Sequence, residues 1–223
     1  MLLLAIDTSG RLGSIALARG HEDGSCDVIE VVPLAGGTFS AQLVPHVAAF
    51  LSKHGFTKYD IDAFAVASGP GSFTGLRVGL AAIKALAEVL GKPIAAVSLL
   101  EGLALAGGAK GKVGAALDAG RGEVYSGEYE VAGDSAQVLR EEILTKEEFV
   151  AKAGGWKTVT SDAALVAMAE SAGLSAVLVE PLSAGDVARL GWRKLRQGHA
   201  VSPEQLDANY IRRSDAEIFG AKG

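Results

Sequence analysis

The chain predicts an α/β protein of two related lobes, and three features of its 223 residues carry that reading. Short, continuously apolar runs of strand length alternate with longer apolar runs of helical spacing. A motif occurs twice, as Ala5-Ile6-Asp7-Thr8-Ser9-Gly10 and as Ala116-Leu117-Asp118-Ala119-Gly120. Each copy closes an apolar strand on an aspartate, turns through small residues and returns as a second strand. Gly107-Gly108-Ala109-Lys110-Gly111 is the best linker candidate. It divides an N-terminal lobe, 1–106, from a C-terminal lobe, 107–223, whose tail can pack back on the first.

Residues 2–6 are continuously apolar, as a buried strand requires, and 14–18 return as its hairpin partner. A third strand is expected over 28–33. Thr38 is placed to cap a helix over 38–53, apolar at Phe39, Leu43, Val44, Val47, Phe50 and Leu51 and polar along Gln42, His46 and Lys53. Pro45 inside it removes one backbone hydrogen bond and should bend it. A strand over 61–67 leads into Ser68-Gly69-Pro70-Gly71-Ser72-Phe73-Thr74-Gly75-Leu76-Arg77-Val78-Gly79. Gly69-Pro70-Gly71 is a sharp turn, and Ser72 or Thr74 caps a helix over 74–90. A strand at 94–97 and a helix at 99–106 complete the first lobe.

The second lobe opens with strands at 113–117 and 123–131 around the turn Asp118-Ala119-Gly120-Arg121-Gly122. Thr145 and Glu148 form a capping box for a short helix. Further along, a brief strand at Val159, a helix over 162–172 stopped by Gly173, a strand at 176–179 and a helix over 186–197 stopped by Gly198 are expected.

Bulk properties exclude several classes of function. Net charge is −5 and the pI about 5.4, which argues against strong autonomous binding of nucleic acid, though not against joining a complex whose other members supply a basic surface. Cys26 stands alone, so neither an internal disulfide nor a cysteine metal cluster is expected. No apolar run reaches membrane-spanning length, and Met1 to Asp7 reads as a first strand and not a signal peptide, so a cytoplasmic protein is the expectation. His21, His46, His54 and His199 show no metal-ligand spacing. P-loop, dinucleotide fingerprint and nucleophile elbow are all missing.

Two aspartate hairpins facing each other can hold the phosphates of a nucleotide. Small turn residues let backbone N–H groups approach the oxygens, and each carboxylate can position Mg²⁺ or a water. The pair resembles the phosphate site of actin-like, sugar-kinase and Hsp70-type ATPases, which makes Asp7, Thr8, Ser9 and Asp118 candidate phosphate residues. The alternative is that both aspartates merely cap tight turns. Such ATPases also need a glycine-rich adenosine loop late in the chain, where Val159-Thr160-Ser161-Asp162-Ala163-Ala164 has no glycine.

The helix over 74–90 carries Arg77, Lys84 and Glu88 in one narrow stripe, with apolar faces on both flanks. A helix lying on a sheet needs one such face. Gly75, Gly79 and Ala82 add a small-residue stripe that suits close approach of another helix. That helix belongs either to a partner, the favoured reading, or to the chain's own packing.

Leu4-Ala5-Ile6-Asp7-Thr8-Ser9, the long stretch from Ser68 to Gly79, and Asp118-Ala119-Gly120-Arg121-Gly122-Glu123-Val124-Tyr125 resemble, in order, the motifs of the TsaB (YeaZ) family. Asn209-Tyr210-Ile211-Arg212 is similar to that family's Pro-x-Tyr-Leu-Arg ending. The resemblance implies an actin-like (ASKHA, ribonuclease H-like) two-lobed fold with duplicated β-hairpin-plus-βαβ lobes. It implies a non-catalytic scaffold in forming N6-threonylcarbamoyladenosine at position 37 of tRNAs that read ANN codons. It further implies pairing with a TsaD-like paralogue, docking of a TsaE-like ATPase on that pair, and homodimerisation through the same helices when the chain is alone. No tightly bound cofactor or metal is implied, with ATP or ADP only at an interface shared within the complex, and tRNA is met through the complex. The pairing helices are 38–53 and 74–90, with Phe39, Leu43, Val47, Phe50, Gly75, Leu76, Gly79, Ala82, Ile83 and Leu86 as interface residues. On that assignment Gly79→Leu blocks pairing and leaves the chain folded. Phe39 stands where the family often has His, Gly120 where Ala-Arg is commoner, and the glycine-rich loop near residue 161 is missing. The last two departures weaken a reading as an autonomous nucleotide binder. Competing readings are an independent ATPase or kinase using Asp7 and Asp118, and a metallopeptidase.

Overall fold

The computed structural model describes residues 1–35 and 39–211. These divide into two compact units, each with a five-stranded mixed sheet. The first sheet contains β1 (Leu2–Asp7), β2 (Gly13–Gly20), β3 (Cys26–Leu34), β4 (Ala63–Gly69) and β5 (Ile94–Ser98), in the order β3-β2-β1-β4-β5. Helix α1 (Phe39–Lys53) links β3 to β4, α2 (Phe73–Leu90) links β4 to β5, and α3 (Leu99–Ala106) follows β5. The second sheet contains β6 (Gly111–Gly120), β7 (Glu123–Ala132), β8 (Ser135–Thr145), β9 (Lys157–Thr160) and β10 (Ala176–Leu178). Helices α4 (Lys146–Lys152), α5 (Ala163–Ser171) and α6 (Ala184–Arg196) complete the described elements.

The duplication suggested by the repeated Asp motif extends to every strand. The second sheet runs β8-β7-β6-β9-β10, the order of the first with each strand number raised by five. Pairing agrees as well. β1 is antiparallel to β2 and parallel to β4, and β6 is antiparallel to β7 and parallel to β9. The fold class is therefore α/β with two ribonuclease H-like, actin-like lobes. β8 is the strand that hydrophobic period does not foresee. It is an edge strand, mostly exposed from Ser135 to Arg140, so no alternating stripe marks it.

In the first unit the sheet is covered on both faces. On one side α1 contributes Phe39, Leu43, Val47, Phe50 and Leu51, and α2 contributes Leu76, Leu80 and Ile83, to a core with Leu4, Ile6, Ile15, Leu17, Phe64 and Val66. Each such side chain, fully buried, contributes about 1.5–3 kcal/mol. α1 continues through Pro45, which lies on its exposed side. Thr38, expected as its cap, lies outside the described residues. Ser72 caps α2 by accepting from the Gly75 amide, and Gly91 ends it in the left-handed region at φ 63°.

On the other face lies α6, which corrects the expected division at residue 106. The units are Met1–Gly102 with Leu182–Ala208, and Leu103–Pro181 with the described residues from Asn209. α6, assigned to the second lobe by sequence order, packs across all five strands of the first sheet. Its small residues explain how. A Cβ at Gly191 would lie 2.5 Å from the Ala65 Cβ, and one at Gly185 would meet Val31 at 3.0 Å. The Ala184 amide donates to the Ser14 hydroxyl on β2 at 2.8 Å. Trp192 is buried with Leu3 and Ala63, its ring filling the space that Gly20 leaves.

Gly191→Val should therefore destabilise the protein by about 1–3 kcal/mol, because the added side chain has no room above Ala65. Urea unfolding measures this. A midpoint equal to wild type would show that α6 does not sit on the sheet this closely.

Candidate functional site: the aspartate hairpins and the outer face of α1 and α2

The first hairpin ends β1 on Asp7, which is 7% exposed. One carboxylate oxygen, Oδ1, accepts both the Ser9 amide at 2.8 Å and the Ser9 hydroxyl at 2.6 Å. Burial pushes the Asp7 pKa above the ordinary carboxylate range, and the two Ser9 bonds pull the other way without cancelling it. Thr8, 2% exposed, donates its hydroxyl to the Gly75 carbonyl at 2.7 Å. The Ser72 amide donates to the Ser9 carbonyl at 2.6 Å. The turn is thus bonded to the start of α2 from both sides.

The glycines of the central motif face this turn. A Cβ at Gly71 would lie 2.6 Å from the Ser9 carbonyl oxygen. At Gly75 it would strike the Thr8 carbonyl oxygen, and at Gly79 the Thr8 hydroxyl. Gly75 and Gly79 are buried against the chain's own hairpin, so they are not sized for a partner helix as the sequence suggested.

The second hairpin differs. Asp118 is exposed near the end of β6, and the turn after it passes through Gly120, Arg121 and Gly122 at φ 72°, 57° and 80°. A counterpart of the Thr8–Gly75 bond would need a hydroxyl after Asp118, and the residue there has none. Ala119 occupies the position of Thr8 in the repeated motif. The stretch expected to hold an adenosine loop is instead the end of β9 and the cap of α5. The Thr160 hydroxyl accepts from the Asp162 amide at 3.1 Å, and Asp162 accepts from the Ala164 amide at 2.8 Å. Asp7, Thr8 and Ser9 are brought together with Ser72 and Gly75, while Asp118 belongs to the second unit. Among the described residues, no group of three or more His, Cys, Asp or Glu side chains is arranged to hold a metal ion, and no helix is long and apolar enough to cross a membrane.

The interface residues expected on α1 and α2 need correction. Phe39, Leu43, Val47, Phe50, Gly75, Leu76, Gly79 and Ile83 are buried within the first unit, and only Ala82 and Leu86 are half-exposed. The surface beyond them is nevertheless apolar. α2 presents Phe73, Arg77, Ala81, Ala85 and Val89, each four residues after the last, as one outward ridge. Val89 is 76% exposed and Val44 on α1 is 59% exposed. Beside them lie the exposed Ala41, Pro45, Ala48 and Ala49. The Arg77 guanidinium sits 3.8 Å above the centre of the Phe73 ring. Together with Ser40, Thr74, Val78, Ala81 and Ala82 these two residues line an open depression. Helical period showed two apolar faces, but it does not say which one is inside. Most of the bulky side chains and both helix glycines went to the core, and Ala41, Ala48, Ala49, Ala81 and Ala85 went out with Val44, Phe73 and Val89.

The model of the family described as TsaD, tRNA N6-adenosine threonylcarbamoyltransferase, matches residues 31–177. The chain is similar to the tRNA threonylcarbamoyladenosine biosynthesis protein TsaB of Escherichia coli, with 31% identity over 97% of this chain and 96% of that one. It is 40% identical to the TsaB of Bacillus subtilis over 58% of this chain, an aligned part that spans only 56% of that relative. A crystal structure of a Pseudomonas aeruginosa protein, described as uncharacterized with similarity to peptidase YeaZ, superposes with a TM-score of 0.75 at 29% identity, covering 95% of this chain and 99% of that one.

Two outcomes test this geometry. Gly79→Leu should fail to fold or lose several degrees of melting temperature, because its side chain enters the space of Thr8. A folded, wild-type-stable variant would refute the burial. Asp7→Asn keeps an oxygen for the two Ser9 bonds and removes the charge. A carboxyl whose pKa is raised by folding gives stability that is complete below its unfolded pKa and is lost as pH rises through the folded one. The variant should therefore gain on wild type as pH increases from 4 to 8 in urea melts, and a variant that instead loses ground to wild type as pH rises would contradict a buried Asp7.

Proposed function

The chain belongs to the TsaB (YeaZ) family, and from that membership we propose that it is a scaffold subunit of the machinery that forms N6-threonylcarbamoyladenosine at position 37 of tRNAs reading ANN codons. Its partner is a TsaD-like paralogue, which carries the transfer chemistry. The observation that carries this reading is the outward ridge of Phe73, Ala81, Ala85 and Val89, flanked by Val44 and the alanines of α1. These are mostly small and apolar side chains on two helices, with Arg77 stacked on Phe73 within the ridge and Glu88 and His46 also exposed. They suit helix-on-helix packing more than binding of a small polar ligand.

The match to the transferase family model spans α1 and α2, which supports a partner offering the same two helices in return. Such pairing is nearly isologous, and two copies of one chain can satisfy it in the partner's absence. A homodimer through this face is therefore part of the proposal. So are docking of a TsaE-like ATPase on the pair, ATP or ADP held only at an interface shared within the complex, tRNA contact through the complex, and residence in the cytoplasm. The non-catalytic assignment draws support from Asp7, which is buried and has one carboxylate oxygen held by two bonds from its own turn.

A double variant, Ala81→Arg with Val89→Glu, changes only exposed positions. It should keep the wild-type melting temperature within a few degrees and weaken pairing with the paralogue by about thirtyfold or more, the effect of roughly 2 kcal/mol from burying charges without partners. The modified adenosine should fall in tRNA from cells that carry only this variant. Wild-type co-purification and modification would remove α1 and α2 as the docking face.

A further inference from the structure

The hairpin that resembled a phosphate loop has another use in this chain. We propose that Thr8 is a positioning residue for pairing: its hydroxyl, together with the Ser9 carbonyl, fixes the first turn of α2 and thereby the outward ridge that meets the partner. The inference rests on the docking role proposed above.

Four observations converge on Thr8. Its hydroxyl is buried and donates to the carbonyl of Gly75, the third residue of α2. In a regular helix that oxygen also takes an amide from one turn on, and a carbonyl has two lone pairs, so the Thr8 bond adds to the helix without competing with it. The Ser9 carbonyl takes the amide of Ser72, the cap of the same helix. Gly71, just before α2, and Gly75 and Gly79 within it then let the backbone lie directly against the turn. Finally, Gly75 and Gly79 lie about 200° around the helix from Phe73 and Arg77, at about 100° per residue, so the latched ridge and the outward ridge are opposite faces of one rigid rod.

Apolar packing alone leaves a helix some freedom to slide and rotate on a sheet. Directional bonds at its first turn remove that freedom. The second unit provides an internal comparison. The residue equivalent to Thr8 is Ala119, and the third and seventh residues of its helix α5 are Leu165 and Ala169, which are buried. At these positions that helix is packed by side chains, and the residue equivalent to Thr8 has no hydroxyl to latch it. Within the duplicated architecture the latch is thus found in the unit that carries the proposed docking face.

The test compares Thr8→Val, which keeps shape and loses the hydroxyl, with Thr8→Ser, which keeps the hydroxyl. Affinity for the purified paralogue is measured by calorimetry well below each variant's melting temperature. Thr8→Val should weaken pairing by about tenfold, with Thr8→Ser within about twofold of wild type. If Thr8→Val does not fold, Thr8→Ala takes its place. A folded hydroxyl-free variant that pairs like wild type overturns the proposal, as does a Thr8→Ser variant as weak as Thr8→Val. Hydrogen exchange on the isolated chain reads the latch without the partner. Amides of the first two turns of α2 should lose protection in Thr8→Val and keep it in Thr8→Ser, and equal protection in all three overturns the latch. Failure of the wild-type chain to pair would instead overturn the docking role, and the exchange result would still decide whether Thr8 holds α2.

Discussion

The close approach of α2 to the Asp7–Ser9 turn is the constraint on which much of the first unit depends. A helix normally keeps its backbone away from a neighbouring turn by the width of its side chains. Here Gly71, Gly75 and Gly79 remove that width on one line, and Thr8 and Ser9 replace it with hydrogen bonds. Glycine inside a helix costs about 0.5–1 kcal/mol relative to alanine, so two at Gly75 and Gly79 need compensation. They receive it from satisfied polar groups in a buried place, where an unmade bond is expensive. The direction of the Asp7 side chain follows from the same geometry. With the turn closed over it, the carboxylate accepts two bonds from Ser9, and burial raises its pKa.

Duplication explains both the likeness and the difference of the two hairpins. Two sheets of the same strand order place an aspartate near the end of the same strand, β1 in one unit and β6 in the other. Around that shared position the sequences have parted. In the first unit Thr8 and the glycines of α2 close the turn. In the second, Ala119 and the left-handed run at Gly120, Arg121 and Gly122 leave Asp118 exposed. One inherited arrangement thus serves two different local structures, and a motif match alone does not tell them apart.

Much of this fold was legible because it depends on patterns within ten or twenty residues. Continuous apolar runs marked β1 and β4, the capping residues Ser72 and Thr145 marked helix starts, and the repeated Asp motif marked the duplication. What was not legible depends on contacts distant in sequence. α6 follows the second lobe in the chain, yet it covers the first sheet, and only its small residues at Gly185, Ala188 and Gly191 hint at close packing. Edge strand β8 lacks a buried face and so lacks a period.

The same limit explains why residues of the inner face of α1 and α2 were expected on the outside. Sequence alone established that α2 is apolar on two sides, and that surplus is real, because Ala81, Ala85 and Val89 remain outside after folding. It did not establish which side is inner. Glycines on a helix are compatible with a partner's close approach and with the chain's own, and the deciding atom, the Thr8 hydroxyl, lies 67 residues away in sequence from Gly75. The outer surface follows once that bond is known. With Gly75 and Gly79 turned inward against Thr8, the ridge from Phe73 to Val89, five residues spaced four apart, must face out. Which face of α2 is left outside is then a consequence of how the hairpin holds its helix.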